Sequence, residues 1–127
     1  MVKKINIIFK SANIELAGEL YDTPTAQKVW DVLPHKTPIK TWGEEIYFDI
    51  PVTLPQEPDA RANVEVGEIG YWPVGKSFCI FWGRTPASKD EQPVAASPVN
   101  IIGKVLGDAT ILNDVDDGAE VILERLE

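Results

Sequence analysis

The chain has 127 residues, of which 44% are hydrophobic and 25% charged, and its formal net charge is −8. This size and balance predict one globular domain, residues 1–127, with a substantial core. The negative charge argues against nucleic acid or an anionic membrane surface as a partner, because attraction to phosphate needs clustered lysine and arginine.

Two further features concern the compartment. The apolar part of the N-terminal segment is too short for a secretory signal, and no stretch approaches the roughly 20 apolar residues of a membrane span. Cys79 is the single cysteine, so an internal disulfide is excluded. Both features predict a cytoplasmic protein.

The first part of the chain predicts two strands and a helix. "KINIIF" and "NIELAGEL" read as strands joined by a tight turn, because apolar and polar residues alternate in the second. In "DTPTAQKVWDVLP", a cap at Asp22 or Thr23 and a proline at the first helical position, Pro24, predict a helix that Pro34 stops.

The segment "PIKTWGEEIYFDIP" predicts a strand that is kinked or bulged at Gly43. Beyond the kink the residues alternate between an apolar face and a polar one. The apolar face carries Ile46, Phe48 and Ile50, and the other face carries Glu45, Tyr47 and Asp49. This pattern is typical of a strand with one face in the core.

The second part predicts more strands, separated by loops. "VTLPQEPDARAN" is a polar loop, and "VEVGEIGYW" and "KSFCIFWG" are strands around a turn at 73–75. Phe78 to Trp82 is apolar throughout, which predicts a strand buried on both faces, with Phe78, Phe81 and Trp82 in the core. "RTPASKDEQPVAASP" is a long loop of the kind that often carries function. "VNIIGKVLG", "DATILNDV" and "AEVILERL" then predict a strand, a short helix and a closing strand.

Many strands, two short helices and no βαβ alternation predict a mostly β fold, an antiparallel closed barrel. Three segments, "TWGEEIYFDIPV", "GEIGYWPVGKSFCIFWGRTP" and "SPVNIIGKVLGD", resemble the small stand-alone bacterial and archaeal proteins of the cyclophilin-like domain family. The resemblance extends over most of the chain. It implies an eight-stranded cyclophilin-like barrel with two short helices, and it implies no established activity.

The order of elements also resembles that of true cyclophilins, the peptidyl-prolyl isomerases. "GKSFCIFWGRT" is similar to their Gly-Ser-Gln-Phe-Phe-Ile strand, with Ser77 and Cys79 in place of the glutamine and a pocket phenylalanine. Their Phe-His-Arg motif is absent, and Trp42 to Glu45 stand in its place. An isomerase lowers its barrier mostly through a donor such as that arginine, so its absence argues against isomerase activity.

Two neighbouring carboxylates, Glu44 and Glu45, are the strongest candidates for binding or acid-base chemistry. Neighbouring strand residues point to opposite faces, so the two do not form an acid pair by spacing alone. One of them, beside Trp42 and Tyr47, could bind a polar ligand or act as a base with a raised pKa. The alternative is a solvated sheet edge, and on either view exchange of Glu44 or Glu45 for Gln is expected to change stability little.

Other candidate ligand-binding residues are aromatic or polar. Tryptophan and tyrosine can bind a ligand because each combines an apolar ring with a polar group. The candidates of this kind are Trp42, Tyr47, Tyr71 and Trp72. Arg84, Thr85, Ser97 and Asn100 bracket the long loop and can supply donors at the barrel mouth, although turn and strand-end bonding is the commoner use of such residues.

The sequence therefore predicts a module that binds a small molecule or a peptide, with no cofactor, no metal and no catalytic residue assigned. One alternative is an enzyme, either a weak prolyl isomerase or an acid-base catalyst using Glu44 or Glu45. The other is a structural protein that self-associates, for example as a homodimer, through exposed aromatic side chains.

Overall fold

The computed structural model of the protein describes residues 3–126, so Met1, Val2 and Glu127 of the predicted domain 1–127 lie outside the described residues. The described chain contains ten strands, one α-helix and two short 3₁₀ helices. The strands are β1 (Lys3–Phe9), β2 (Ile14–Leu20), β3 (His35–Pro38), β4 (Lys40–Thr41), β5 (Glu45–Asp49), β6 (Arg61–Asn63), β7 (Glu68–Trp72), β8 (Ser77–Phe81), β9 (Val94–Leu106) and β10 (Glu120–Leu126); the helix is α1 (Pro24–Asp31), and the 3₁₀ helices are Lys10–Ala12 and Ala109–Asp114.

The strands pair antiparallel in the order β3-β10-β1-β2-β9-β7-β8-β5-β4, and β6 pairs with β9 beside this path. The prediction of a closed eight-stranded barrel is therefore wrong, because the sheet has two ends, β3 and β4. The segment predicted as one strand kinked at Gly43 instead forms two strands, β4 and β5, and its first residue, Pro38, ends β3. Only Ile39 separates β3 from β4, too short a link for the two strands to reverse direction and pair with each other.

The main core lies against one face of the sheet and is closed by α1. Thr23 caps this helix by accepting a hydrogen bond from the N–H of Ala26 at 3.1 Å, and Pro24 occupies its first turn, as predicted. Ala26 and Val29 are buried against the strands. Ile46, Phe48 and Ile50, the predicted apolar face of β5, also lie in this core. No helix in the described part of the chain combines the length and hydrophobicity that a membrane crossing requires.

Strand β8 is buried along its whole length, as its composition predicts. Phe78 and Ile80 belong to the main core, while Cys79 and Phe81 point the other way into a smaller apolar cluster. The other buried members of that cluster are Val64, Ala95 and Val99. Phe78, Phe81 and Trp82 are thus confirmed as core residues, with Phe81 in the smaller cluster. We call the side of β5, β7 and β8 that carries the smaller cluster the outer face.

Strand β9 covers the outer face because it begins earlier than the sequence predicts. The loop was predicted over residues 84–98. In the structure it stops before Val94, and residues 94–98 belong to β9 instead. Its pairing with β6 is irregular: Arg61 lies opposite Val99, but Asn63 lies opposite Val94. Two residue steps on β6 therefore match five on β9, so β9 bulges by three residues.

Candidate functional site

A pocket opens on the outer face beside this bulge. Its volume is about 150 Å³, similar to that of an engineered protein cavity of about 150 Å³ that holds one benzene molecule. The lining residues come from the Gly43 turn, β5, β7, β8 and β9, and they are Trp42, Glu45, Tyr47, Trp72, Cys79, Ala95, Ala96 and Val99. We call this the Glu45 pocket.

The pairing register explains why these side chains meet. On β5 and β8, Glu45 lies opposite Phe81 and Tyr47 lies opposite Cys79. Residues directly opposite each other in an antiparallel pair point to the same face, so all four share the outer face. Next to Cys79 on β7 is Gly70, where a Cβ would lie only 2.8 Å from Val99 Cγ2. The missing side chain lets Val99 of β9 pack closely against β7.

Glu45 is the one charged residue among the pocket's lining residues, and only 6% of it is exposed. Burial removes water from its carboxylate and raises the pKa to about 7, an effect that the nearby Cys79 side chain partly offsets. Burial also raises the pKa of the Cys79 thiol, and the nearby Glu45 charge adds to that rise. No basic side chain within residues 3–126 forms an ion pair with Glu45. The carboxylate is therefore buried, without a counter-charge and next to an open space.

Three aromatic rings form walls of the pocket. The rings of Tyr47 and Trp72 pack edge to face with centroids 6.3 Å apart. The indole N–H of Trp72 donates to Ser97 Oγ at 2.6 Å, which anchors that ring to the β9 bulge. Trp42 precedes the tight turn at Gly43, whose φ of 62° lies in the left-handed region. A pocket with two anchored aromatic walls and one buried acid suits a small, partly apolar ligand.

Glu44 has a structural role beside the pocket and does not line it. Its N–H donates to the carbonyl of Arg84 at 2.7 Å, its carbonyl accepts from the N–H of Trp82 at 3.0 Å, and its carboxylate accepts from the N–H of Arg84 at 3.1 Å. These bonds fix the Gly43 turn against the 82–84 segment. The close approach requires Gly83, because a Cβ at that position would overlap the Glu44 carboxylate.

Tyr71 does not belong to the site. It is fully buried in the main core, where its hydroxyl donates to the carbonyl of Val52 at 2.5 Å and accepts from the N–H of Leu54 at 3.4 Å. Tyr71 and Trp72 are neighbours on β7 and so point to opposite faces. The predicted strand through both residues is observed, so the two rings cannot line one site.

Asn100 does not line the pocket either and has a structural role. It is fully buried, and its amide donates to Thr25 Oγ1 and to the carbonyl of Pro55, each at 3.1 Å, while its oxygen accepts from the N–H of Glu57. Asn100 thus joins β9 to the helix and to the 54–59 loop. A more open cleft of about 480 Å³ lies between the start of the helix and the 54–59 loop. The Glu57 carboxylate in this cleft already has a partner within the protein, because it accepts from Thr25 Oγ1 at 2.5 Å.

Arg84 and Thr85 organise the loop that follows β8. Thr85 is buried and its hydroxyl donates to the carbonyl of Val94 at 2.5 Å, at the start of β9. The Arg84 side chain is exposed and lies 3.4 Å from Glu91. Of the ten predicted ligand-binding residues, the pocket brings together Trp42, Glu45, Tyr47 and Trp72, with Ser97 bonded to its wall.

Sequence reasoning missed Cys79, Ala95, Ala96 and Val99 as lining residues. A signal was present for Cys79, because it stands where the isomerases carry a pocket phenylalanine. The alanines gave no chemical signal, and their part in the pocket depends on the β9 bulge. Within residues 3–126, no group of three or more histidine, cysteine or acidic residues is placed to hold a metal ion.

Comparisons with known proteins agree on a family. The sequence model of a family described as cyclophilin-like matches residues 3–124. A hypothetical protein from Archaeoglobus fulgidus, whose solution structure is known, is 38% identical; the match covers 98% of this chain and 95% of that chain, with a TM-score of 0.80. No match was found among curated proteins.

Proposed function

This chain belongs to the cyclophilin-like family, and we propose that it binds a small ligand in the Glu45 pocket. The observation that carries the proposal is Glu45 itself, a carboxylate that is 6% exposed and has no basic partner among the described residues. Burying an uncompensated charge costs several kcal/mol. A position that serves the fold alone is better filled by an apolar residue, so an acid at this buried position supports a role in binding.

The shape of the site supports the same proposal. Partly buried rings of Trp42 and Tyr47 offer apolar surface, and the alanines of β9 leave the space between them open. Small-molecule sites typically combine such apolar walls with one or two polar groups that fix orientation.

Nuclear magnetic resonance can test the proposal directly. A chemically diverse set of compounds of about six non-hydrogen atoms, the size that a cavity of about 150 Å³ accepts, is added to the labelled protein. We expect some compounds to shift the amide signals of Ala95 and Ala96 and the indole signal of Trp72. Ala96→Leu, which enlarges an exposed side chain at the rim of the pocket, should weaken these shifts, whereas Ala87→Leu in an exposed turn should keep them. The proposal fails if no compound shifts these signals, or if Ala96→Leu leaves the shifts unchanged.

A second candidate function is acid-base catalysis by Glu45. The observation that favours it is the raised pKa of about 7, which lets the carboxyl both accept and donate a proton near neutrality. Isomerase activity has less support, since the pocket lining contains no arginine. We expect no acceleration of prolyl cis/trans exchange in an NMR exchange assay; a rate within about tenfold of an authentic cyclophilin would instead require a different donor.

Two other proposals, self-association and a cytoplasmic location, have weaker support. Self-association through exposed aromatic residues has little support, because the large hydrophobic side chains exposed within residues 3–126 are Val66, Val74 and Leu126, none of them aromatic. A cytoplasmic location is supported by Cys79, a free and buried thiol.

A further inference from the structure

We propose that the ligand of the Glu45 pocket is a small organic cation, an alkylammonium ion whose charge lies against Glu45 and whose alkyl part lies between the aromatic walls. This inference rests on the proposed function and names the chemistry of its ligand. Three features of the pocket carry it: the sign of its charge, the chemistry of its walls and its capacity for hydrogen bonds.

The charge of the pocket has one sign. Glu45 is its charged lining residue, and the other lining side chains are aromatic, aliphatic or the Cys79 thiol. A cationic ligand supplies the counter-charge that the carboxylate lacks, and a charge-assisted hydrogen bond is about twice as strong as a neutral one. An anionic ligand would meet repulsion in a site of low dielectric constant.

The hydrogen-bonding capacity also favours a donor ligand. The indole N–H of Trp72 already donates to Ser97 Oγ, and the Cys79 thiol already donates to the carbonyl of Ser77 at 3.8 Å. The Glu45 carboxylate is therefore the one charged hydrogen-bonding group of the lining, while the Trp42 indole N–H and the Tyr47 hydroxyl, which make no hydrogen bond within residues 3–126, are neutral groups. An alkylammonium ion carries up to three N–H donors and no acceptor.

The aromatic walls provide a second attraction for positive charge. The face of a tryptophan or tyrosine ring attracts a cation within about 6 Å of its centroid. The Tyr47 ring already makes such a contact within the protein, because the ammonium group of Lys40 on β4 lies 5.9 Å from its centroid. That contact raises a rival possibility, in which Lys40 itself serves Glu45 as the counter-charge, and the experiment includes a variant that removes it.

The groups that face Glu45 predict how binding depends on pH. From β8 it meets the Cys79 thiol, whose own pKa is raised, so the thiol is neutral. From β9 it meets alanine and valine, from β7 Trp72, and Tyr47 and the Lys40 beside it complete the set. Since the pKa of Glu45 is about 7, affinity for a cation should fall as pH drops below that value, by about tenfold per unit at the limit.

The test compares three probes of one shape: n-butylammonium, 1-butanol and n-butyrate. Each is titrated into the protein while the NMR signals of Ala95, Ala96 and Trp72 are followed, at about pH 8 and about pH 5.5. We expect n-butylammonium to bind at least about tenfold more tightly than 1-butanol at the higher pH. We expect this preference to disappear at the lower pH, and n-butyrate to bind weakest at the higher pH.

Three variants assign the preference to its residue. Glu45→Gln should remove both the preference for the cation and its pH dependence, because the amide is neutral at every pH. Glu44→Gln is the matched control, one position away and outside the pocket lining, and should keep both. Lys40→Gln should also keep both, or bind the cation more tightly if Lys40 competes for Glu45.

The outcomes separate this inference from the function on which it rests. If 1-butanol binds in the pocket as tightly as n-butylammonium, or if Glu45→Gln binds the cation unchanged, the cation inference is wrong and ligand binding stands. If no probe and no compound of the diverse set shifts the pocket signals, the proposed function itself fails. A fourth probe, Nα-acetyl-lysine N-methylamide, distinguishes the sources: binding as tight as that of n-butylammonium indicates a lysine side chain of a peptide, and weaker binding a free amine.

Discussion

The two faces of β8 are both buried, yet they are built differently. On one face Phe78 stacks on Phe48 with ring centroids 5.0 Å apart, inside the main core. On the other face Cys79 and Phe81 lie in a small cluster, and Cys79 borders a pocket of about 150 Å³ that also holds a carboxylate. An unbroken apolar strand thus indicates that both its faces are buried. How densely each face is packed depends on the elements that cover it.

The difference originates in those covering elements. The main core is filled by long side chains from neighbouring strands in regular register, such as β1 with β2 and β5 with β8. The outer face is covered by a strand that bulges and presents two alanines. Regular pairing produces dense packing, whereas the bulge leaves room for a ligand.

The largest expected effect is that of truncating the two sides of β8. Phe78→Ala should cost about 3–5 kcal/mol, because it leaves a cavity in a densely packed core. Cys79→Ala should cost less than about 1 kcal/mol, since the lost sulfur borders space that is already open. Denaturant unfolding measures both. Equal costs would mean that the outer face is packed as tightly as the main core.

The next effect concerns Glu45, whose folded pKa of about 7 exceeds its ordinary value of 4.5. The folded chain holds this proton more tightly than the unfolded chain, so the stabilising contribution is complete below about pH 4.5 and lost as pH rises through about 7. Glu45→Gln should therefore stabilise the protein by about 1–3 kcal/mol at about pH 8, and by little at about pH 4.5. Unfolding curves at the two pH values check this; a difference independent of pH would mean that the carboxylate is well solvated.

A smaller effect separates Tyr71 from its neighbour on the outer face. Tyr71→Phe should cost about 1–2 kcal/mol, because it leaves the carbonyl of Val52 without its buried donor. It should not change the binding of any ligand in the Glu45 pocket. An altered affinity, with the fold intact by its NMR spectrum, would contradict the assignment of Tyr71 to the main core alone.

The smallest effect is expected for Glu44. Glu44→Gln keeps an oxygen that can accept the N–H of Arg84, and the side chain is only partly buried, so stability should change by less than about 0.5 kcal/mol at any pH. The free energy of unfolding is measured beside that of Glu45→Gln. A pH-dependent change as large as that of Glu45→Gln would show that the two acids share one environment.

The sequence predicts best what local alternation controls. The apolar face of the segment from Glu45 to Ile50 follows from alternation, and the burial of both faces of β8 follows from its unbroken apolar run; both are observed. Of the two alternatives for Glu45, the solvated sheet edge is wrong, because only 6% of the residue is exposed and residues of β9, about 50 positions further along the chain, line the same pocket. Alternation gives the face on which a side chain lies, but not what covers that face.

Long-range arrangement accounts for the other errors. Closure of the barrel was inferred from strand number, which does not reveal that β3 and β4 follow each other at the two ends of the sheet. Asn100 was placed at a loop end, and its partner Thr25 lies 75 residues away. The pocket itself depends on a mismatch in pairing between β6 and β9 that no local pattern marks.

The three extra residues of β9 suggest how relatives with this fold can diversify. Since they belong to no regular ladder with β6, their number can change without shifting the register of Val99 or of the pairs beyond it. An insertion or deletion between Val94 and Val99 would resize the opening while the rest of the scaffold is kept. The length of one short segment would then act as an evolutionary adjustment of ligand size, separate from the substitutions that alter charge.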